Sequence, residues 1–420
     1  MTPAAMPAPD PGARAVRRRP KNRRAQIAAV SAAEFAALGY HRVSMEDIAT
    51  RLGISSTALY RHYPSKYALF AGELLRLGEV TVAAVSLPEV AADWPARRRL
   101  GYAIDGIIAE TIFNRTTVGL ARWEHRYLEE PDKRTVDEHF ATALTELSAL
   151  IGAVRPELPE HERRIRAVGV FSAVSCLGDH RVALAAKPLA VLLNQACWAL
   201  VETDLPVSAQ SPPPRAVEIP HTLKHELLLQ HAVRLFYERG YPNVGVEDIA
   251  AAAGLPSVSA VYRYYRGKGD LLNAAFRRAA DRMTAVIGPT LAESGTPAEA
   301  LTKLVDMYVA GAFDERELIY VYFAEFGHVP DDERATLRVV QRLVVAEWAG
   351  LLAQVRPGLT TAAGHILVHA ALGLVVDYGR VFGDTERICP RQWVIRLMEA
   401  VLFGPPAPGP SASLNACTSP

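Results

Sequence analysis

An excess of charge of either sign is missing from this chain: 46 lysines and arginines stand against 45 aspartates and glutamates, for a formal net charge of +1. A protein so balanced has no global field to hold a polyanion, so any affinity for nucleic acid must come from local patches. Cysteine is scarce as well. Cys176, Cys197, Cys389 and Cys417 are scattered, with no CxxC pair and no histidine at metal-ligand spacing. That excludes a disulfide framework and suits reduced thiols in a cytosol. Long apolar runs are absent too. The best candidate, Ile366 to Val376, is short and interrupted by His369, and reads as a buried helix, not a membrane span. The N-terminus has no apolar segment of the secretory type, so a soluble cytoplasmic protein is expected. There is no Gly-rich phosphate loop, no GxSxG, no HExxH and no Cys–His signature. Neither an enzyme nor a cofactor is expected.

What the chain does have is an internal repeat. GYHRVSMEDIATRLGIS begins at Gly39, and GYPNVGVEDIAAAAGLP begins at Gly240, 201 residues later (240 − 39). Phe35, Ile48 and Gly53 match Phe236, Ile249 and Gly254 at that offset. LYRHYPSK from Leu59 matches VYRYYRGK from Val261 at 202 (261 − 59), so the second copy has gained one residue. VRPEL at Val154 matches VRPGL at Val355, again at 201. A period of that length is a duplicated domain, and with half of 420 residues hydrophobic, each copy can bury a core.

Period-two alternation is absent, and apolar residues recur at helical spacing between Pro and Gly breaks, so the fold class is all-α. The expected boundaries are a disordered basic tail at 1–20, a head at 21–68, a helical body at 69–204 and a Pro-rich linker at 205–220. A second head at 221–270, a second body at 271–404 and a disordered tail at 405–420 complete the chain.

Within the first head, Ile27, Val30, Phe35 and Leu38 share one face and Gly39 ends a helix. Ser44, three residues before Asp47, caps a second helix with Met45, Ile48, Ala49 and Leu52 inward. Gly53 permits a tight turn. Ser55 caps a third helix, with Leu59 and Tyr63 inward and Ser56, Thr57, Tyr60 and Arg61 outward. Pro64 is expected to stop that helix, and Ser65 to cap the next. Two short helices across a glycine turn behind a longer one make a helix-turn-helix. Its last helix lies in the major groove, where small hydroxyls read base edges. The basic run Arg17, Arg18, Arg19, Lys21, Arg23 and Arg24 leads into the first helix and suits contact with the DNA backbone.

EFAALGYHRVSMEDIATRLGISSTALYRHYPSKYALF resembles the DNA-binding region of the tetracycline-repressor (TetR) family of bacterial regulators. LFYERGYPNVGVEDIAAAAGLPSVSAVYRYYRGKGDLL resembles it a second time. The resemblance covers roughly 45 residues of each copy. It implies three DNA-binding helices, a helical ligand-sensing body, and dimerisation through the last two helices. Ser56, Thr57 and Ala58 then take base-reading positions, beside Ser44 and Ser55, and Tyr60, His62 and Lys66 take phosphate positions. In the second copy Ser257, Ser259 and Ala260 read bases, while Tyr262, Arg263, Tyr264 and Lys268 meet the backbone. That copy departs from the pattern through its extra residue, Pro256, and through Gly245 at a capping position; its approach to the first helix is also less basic, with Lys224 the nearest cation.

The bodies are rich in aromatics. Tyr102, Phe113, Trp123, Phe171, Tyr308, Phe323, Phe326, His369 and Tyr378 are the candidates for an apolar pocket, and a lipid-like, acyl-thioester or other small hydrophobic effector would suit it. His365 and His369 stand at i, i+4, but no third ligand accompanies them, so no metal site is expected. The partners expected are double-stranded DNA, an effector, and either an intramolecular pseudo-dimer or a homodimer. A scaffold whose second head has degenerated is the rival reading.

Overall fold

The structure, a computed structural model, describes residues 23–207, 223–383 and 388–404. The expected tails at 1–20 and 405–420, most of the linker at 205–220, and Arg17, Arg18, Arg19, Lys21 and Cys417 lie outside the described residues. Among the described residues every regular element is helical.

The first copy contains α1 (Arg23–Leu38), α2 (Met45–Leu52), α3 (Ser56–Tyr60), α4 (Lys66–Val85), α5 (Ala96–Phe113), α6 (Arg115–Glu124), α7 (Glu130–Val154), α8 (Glu160–Ser175) and α9 (Ala186–Glu202). The second contains α10 (Lys224–Arg239), α11 (Val246–Ala252), α12 (Val258–Val261), α13 (Lys268–Ala285), α14 (Ile287–Ala292), α15 (Pro297–Asp314), α16 (Arg316–Ala324), α17 (Asp331–Val355), α18 (Thr361–Phe382) and α19 (Arg391–Phe403). From α5 onward the copies correspond at the 201-residue offset, so α5 to α8 match α15 to α18.

Each head closes over its own core. Ile27, Phe35, Ile48, Leu59 and Phe70 are buried in the first; Leu228, Phe236, Ile249, Val261 and Phe276 fill the same role in the second. The bodies differ in kind, because they share one core. Helices α8 and α9 pack against α18 and α19, so that Val168, Val170, Leu193 and Leu200 sit in one apolar cluster with Ile366, Leu374, Leu397 and Val401. Gly169 lets α18 approach α8: a Cβ there would fall inside contact distance of the Tyr378 hydroxyl, which donates to the Ile165 carbonyl oxygen at 3.2 Å. Helix α18 is long and apolar enough to cross a membrane, yet 72% of its most apolar window is buried among the other helices, as befits a core helix.

Candidate nucleic-acid interface

The first head is set by its caps. Ser44 Oγ accepts from the Asp47 amide at 3.1 Å while the Asp47 carboxylate accepts from the Ser44 amide at 2.8 Å, a reciprocal capping box. Gly53 ends α2 at φ 64°, a left-handed conformation that favours glycine. Ser55 Oγ then accepts from the Ala58 amide at 3.2 Å and starts α3. That helix ends at Tyr60, earlier than the stop expected at Pro64; the chain turns through His62 and Tyr63 before Ser65 caps α4.

Leu59 and Tyr63 are buried and hold α3 from behind. Thr57, Arg61 and His62 are exposed, Ser56 and Ala58 half-buried, and the Tyr60 ring is 52% exposed. Arg24 is exposed close by, its guanidinium 5.0 Å from the Tyr63 ring centre, and Arg23 is half-buried. Lys66 is placed differently. Its ammonium donates to the Tyr40 carbonyl oxygen at 3.0 Å and sits 4.3 Å from the Tyr40 ring centre, and burial lowers its pKa. It braces the head as well as standing near the expected backbone path.

The second head repeats this plan loosely. Gly245 has no side chain to cap α11, so only the Asp248 carboxylate, accepting from the Gly245 amide at 2.8 Å, remains of the box. With Pro256 inserted, α12 shrinks to Val258–Val261, and the Ser257 side chain makes no capping bond. Ser257, Ser259, Tyr262, Arg263 and Tyr264 are exposed and Ala260 half-buried. Lys268 spends its ammonium on three carbonyl oxygens: Val244 at 2.9 Å, Tyr241 at 3.0 Å and Pro242 at 3.4 Å.

Behind the first head lies a cavity of about 310 Å³. Its walls come from α4 (Leu77), α5 (Ile107), α6 (Ala121, Arg122), α7 (Phe140) and α8 (Phe171), and α18 of the second copy closes it with Asp377 and Arg380. Arg122 is buried between carboxylates of both copies, with Nη1 2.6 Å from Asp179 Oδ2 and Nη2 2.6 Å from Asp377 Oδ2. Ser172 donates to the same Asp377 oxygen at 2.6 Å, and burial pushes the Asp179 carboxyl up. His125 also lines the cavity, and burial drops its pKa to about 3, so it is neutral there.

Of the residues expected to form a pocket, Phe171 lines this cavity; the others lie elsewhere. Phe113 is 84% exposed and Tyr102 also faces out, against Trp94. Trp123 stacks on Phe323 across the copies at 5.4 Å and donates Nε1 to Asp179. Phe323 and Phe326 pack on the second head's core. Tyr308 donates to the Leu372 carbonyl oxygen at 3.4 Å, Tyr378 lies between α8 and α18, and His369 stacks on His180 at 4.3 Å. No group of three metal-ligating side chains occurs among the described residues. Large rings here seal cores, and the cavity is walled mostly by medium and small side chains.

One pair of residues escaped sequence reasoning entirely. Glu124, at the end of α6, accepts from the Tyr40 amide at 3.3 Å, and its repeat equivalent Glu325 accepts from the Tyr241 amide at 2.9 Å. Both are buried. Glu325 also pairs with Arg126 of the first copy at 2.9 Å, and Arg42 of the first head donates to the Gly327 carbonyl oxygen at 3.1 Å. The head-to-body joints of the two copies therefore meet. The alignment of the copies carries the signal, since Glu is kept at both 124 and 325 (325 − 124 = 201).

Known proteins resemble parts of this chain. The family model described as bacterial regulatory proteins, tetR family, matches residues 27–72 and again 228–275. Among solved structures, a TetR-family transcriptional regulator from Bordetella parapertussis is 19% identical over 47% of this chain and 100% of its own, with a TM-score of 0.41. The fatty acid degradation regulator FadR from Bacillus halodurans is 22% identical over 44% of this chain and 97% of its own (TM-score 0.37). AibR, solved with isovaleryl coenzyme A and operator DNA, is 18% identical over 44% and 100% (TM-score 0.39).

Proposed function

We propose that this chain, a tandem of two TetR-type units, is a ligand-responsive DNA-binding regulator of transcription, a repressor that leaves an imperfect palindromic operator when a small hydrophobic effector binds. One observation carries the reading: the outward edge of α3 and the turn after it present Thr57, Tyr60, Arg61 and His62 to solvent, while Leu59 and Tyr63 are buried behind them. Thr57 with Ser56 and Ala58 would meet base edges; Tyr60, Arg61, His62, Lys66 and the approach through Arg23 and Arg24 would meet phosphates. Ser44 and Ser55 serve as caps and place that edge. Ser257, Ser259, Ala260, Tyr262, Arg263 and Tyr264 take the same roles in the second head.

We read 21–68 and 221–270 as the heads and 69–204 and 271–404 as sensing bodies, in a protein of the cytoplasm that works at the nucleoid and performs no catalysis. The shared core of α8, α9, α18 and α19 supports an intramolecular pseudo-dimer over a homodimer of two chains, because the surface a partner would cover is already covered. Tethering then replaces association by effective concentration. The two heads differ, so the half-sites differ.

Release would run through α6. Ala121 and Arg122 wall the cavity and Glu124, one turn on, holds the first head at Tyr40. An effector that fits the cavity better in one setting of α6 shifts the head by that difference in affinity. Its apolar part is the portion that lipid-like molecules and acyl thioesters share. The scaffold reading draws support from the shortened α12 and the fully engaged Lys268, but only for the second head.

A gel-shift titration of the full chain on duplex DNA from its own upstream region tests the proposal. Affinity is expected to fall steeply with salt, with a slope of about 0.9 for each phosphate neutralised. Absence of binding even in dilute buffer would overturn it.

A further inference from the structure

The two bodies have diverged at the positions that wall the cavity. Ile107, Ala121 and His125 correspond to Tyr308, Tyr322 and Phe326 at the 201-residue offset. Tyr322 is buried, and Tyr308 and Phe326 pack against the surrounding apolar clusters. Thr111, Val118 and Ser175, which line the first cavity, correspond to Ala312, Ile319 and Val376, which line a space of about 10 Å³. A water barely fits such a space. The second chamber is filled by its own side chains.

The open chamber is also unbalanced in its polar groups. Both Arg122 nitrogens that face carboxylates are engaged at 2.6 Å, and Arg380 donates to the Arg122 carbonyl oxygen at 3.1 Å and lies 3.5 Å from Asp377 Oδ1. The hydroxyl of Ser172 is given to Asp377, and that of Ser175 to the Ser172 carbonyl oxygen. The lining carboxylates, Glu110, Asp137 and Asp377, outnumber the two guanidiniums, and carboxylate oxygens accept more than one bond. Spare acceptors therefore face an apolar space whose two guanidiniums are already paired with carboxylates, although Arg122 Nε makes no hydrogen bond.

We infer that one chain takes a single effector, in the first-copy chamber alone, and that this effector is an apolar body with a cationic or hydrogen-bond-donating end. The inference rests on the chamber being the effector site of the regulator proposed above. The second copy supplies α18 as its closing wall, so the site is incomplete without it. A carboxylate or phosphate end would meet three lining carboxylates against two guanidiniums already paired with Asp179 and Asp377.

Decylammonium and decanoate, both below their micellar range, are the probes, and native mass spectrometry with calorimetry on the full chain is the readout. One decylammonium per chain is expected, with decanoate at least several-fold weaker. Ile107→Tyr, which installs the residue of the second copy, should abolish uptake. Asp137→Asn, at an exposed position that cannot unfold the core, should weaken decylammonium about two- to five-fold, the size of a partly exposed ion pair, and leave decanoate unchanged or stronger. Two equal sites per chain, a preference for decanoate, unchanged affinity in Asp137→Asn, or no decylammonium uptake would each overturn the inference. Gel shifts run in parallel keep the two readings apart: uptake without any DNA binding sinks the regulator and spares the stoichiometry.

Discussion

Arg122→Leu is the perturbation that tests the joint between the copies most directly. In the folded protein Arg122 is 5% exposed, and its guanidinium is bonded to Asp179 and Asp377 at 2.6 Å each. Asp377 has a second cation, Arg380, at 3.5 Å, but Asp179 is left only the Trp123 indole N–H, also at 2.6 Å. Removing the arginine therefore strands one buried carboxylate and weakens the hold on another. Breaking a buried pair from one side costs about 3–5 kcal/mol. Burial already raises the Asp179 carboxyl above its unfolded value of 3.8, so in the folded state it binds a proton more readily than in the unfolded chain. Its ionisation then opposes folding above the folded pKa, and that penalty vanishes as pH falls below it. Without Arg122 the folded pKa moves further up and the window widens. The stability difference between wild type and variant should thus be largest at pH 7 and shrink toward pH 4, by up to about 1.4 kcal/mol per pH unit for each stranded carboxylate. Urea midpoints followed by tryptophan fluorescence at several pH values measure this, and Trp123 reports from the site itself. A triple variant, Arg122→Met with Asp179→Asn and Asp377→Asn, should recover most of the loss. A variant within about 1 kcal/mol of wild type at pH 7, or a loss independent of pH, would refute the reasoning.

Gly169→Ala should cost about 1–3 kcal/mol by overpacking α8 against α18, and Tyr378→Phe in the same chain should recover part of it, because the clashing atom is the phenolic oxygen; a double-mutant cycle on urea midpoints reads the coupling. Arg61→Ala should reduce the slope of log affinity against log salt by about 0.9 and weaken all duplexes alike. Thr57→Ala should instead change which duplex is preferred, as read by selection from a randomised pool. Lys66→Ala should weaken DNA binding uniformly and also destabilise the first head by about 0.5–1.5 kcal/mol, the worth of its bond to the Tyr40 carbonyl oxygen; thermal melts of the full chain report the second effect.

The heads were legible because their physics is local. Ser44 with Asp47, Gly53 and Ser55 are short-range signals, and each acts on the backbone beside it. The end of α3 was misplaced by a few residues for a related reason. A proline limits where a helix can run but does not say that it runs so far, and the turn at His62 and Tyr63 is fixed by Tyr63 reaching the core. The bodies were not legible from one copy, since Arg122 meets Asp377 across 255 residues of chain (377 − 122) and no periodicity encodes such a pairing. Comparing the copies with each other carries more than either does alone. Where both keep a residue, as with Glu124 and Glu325 or Lys66 and Lys268, it ties a head to its surroundings by the same backbone bond. Where they diverge in volume, as with Ile107 and Tyr308 or Ala121 and Tyr322, one body keeps a space and the other gives it up. On the reading proposed above, a duplication that preserves both joints but fills the second counterpart of the first-copy chamber would make two heads answer to one occupant. The Arg126–Glu325 pair joins the two head-to-body joints directly, at 2.9 Å.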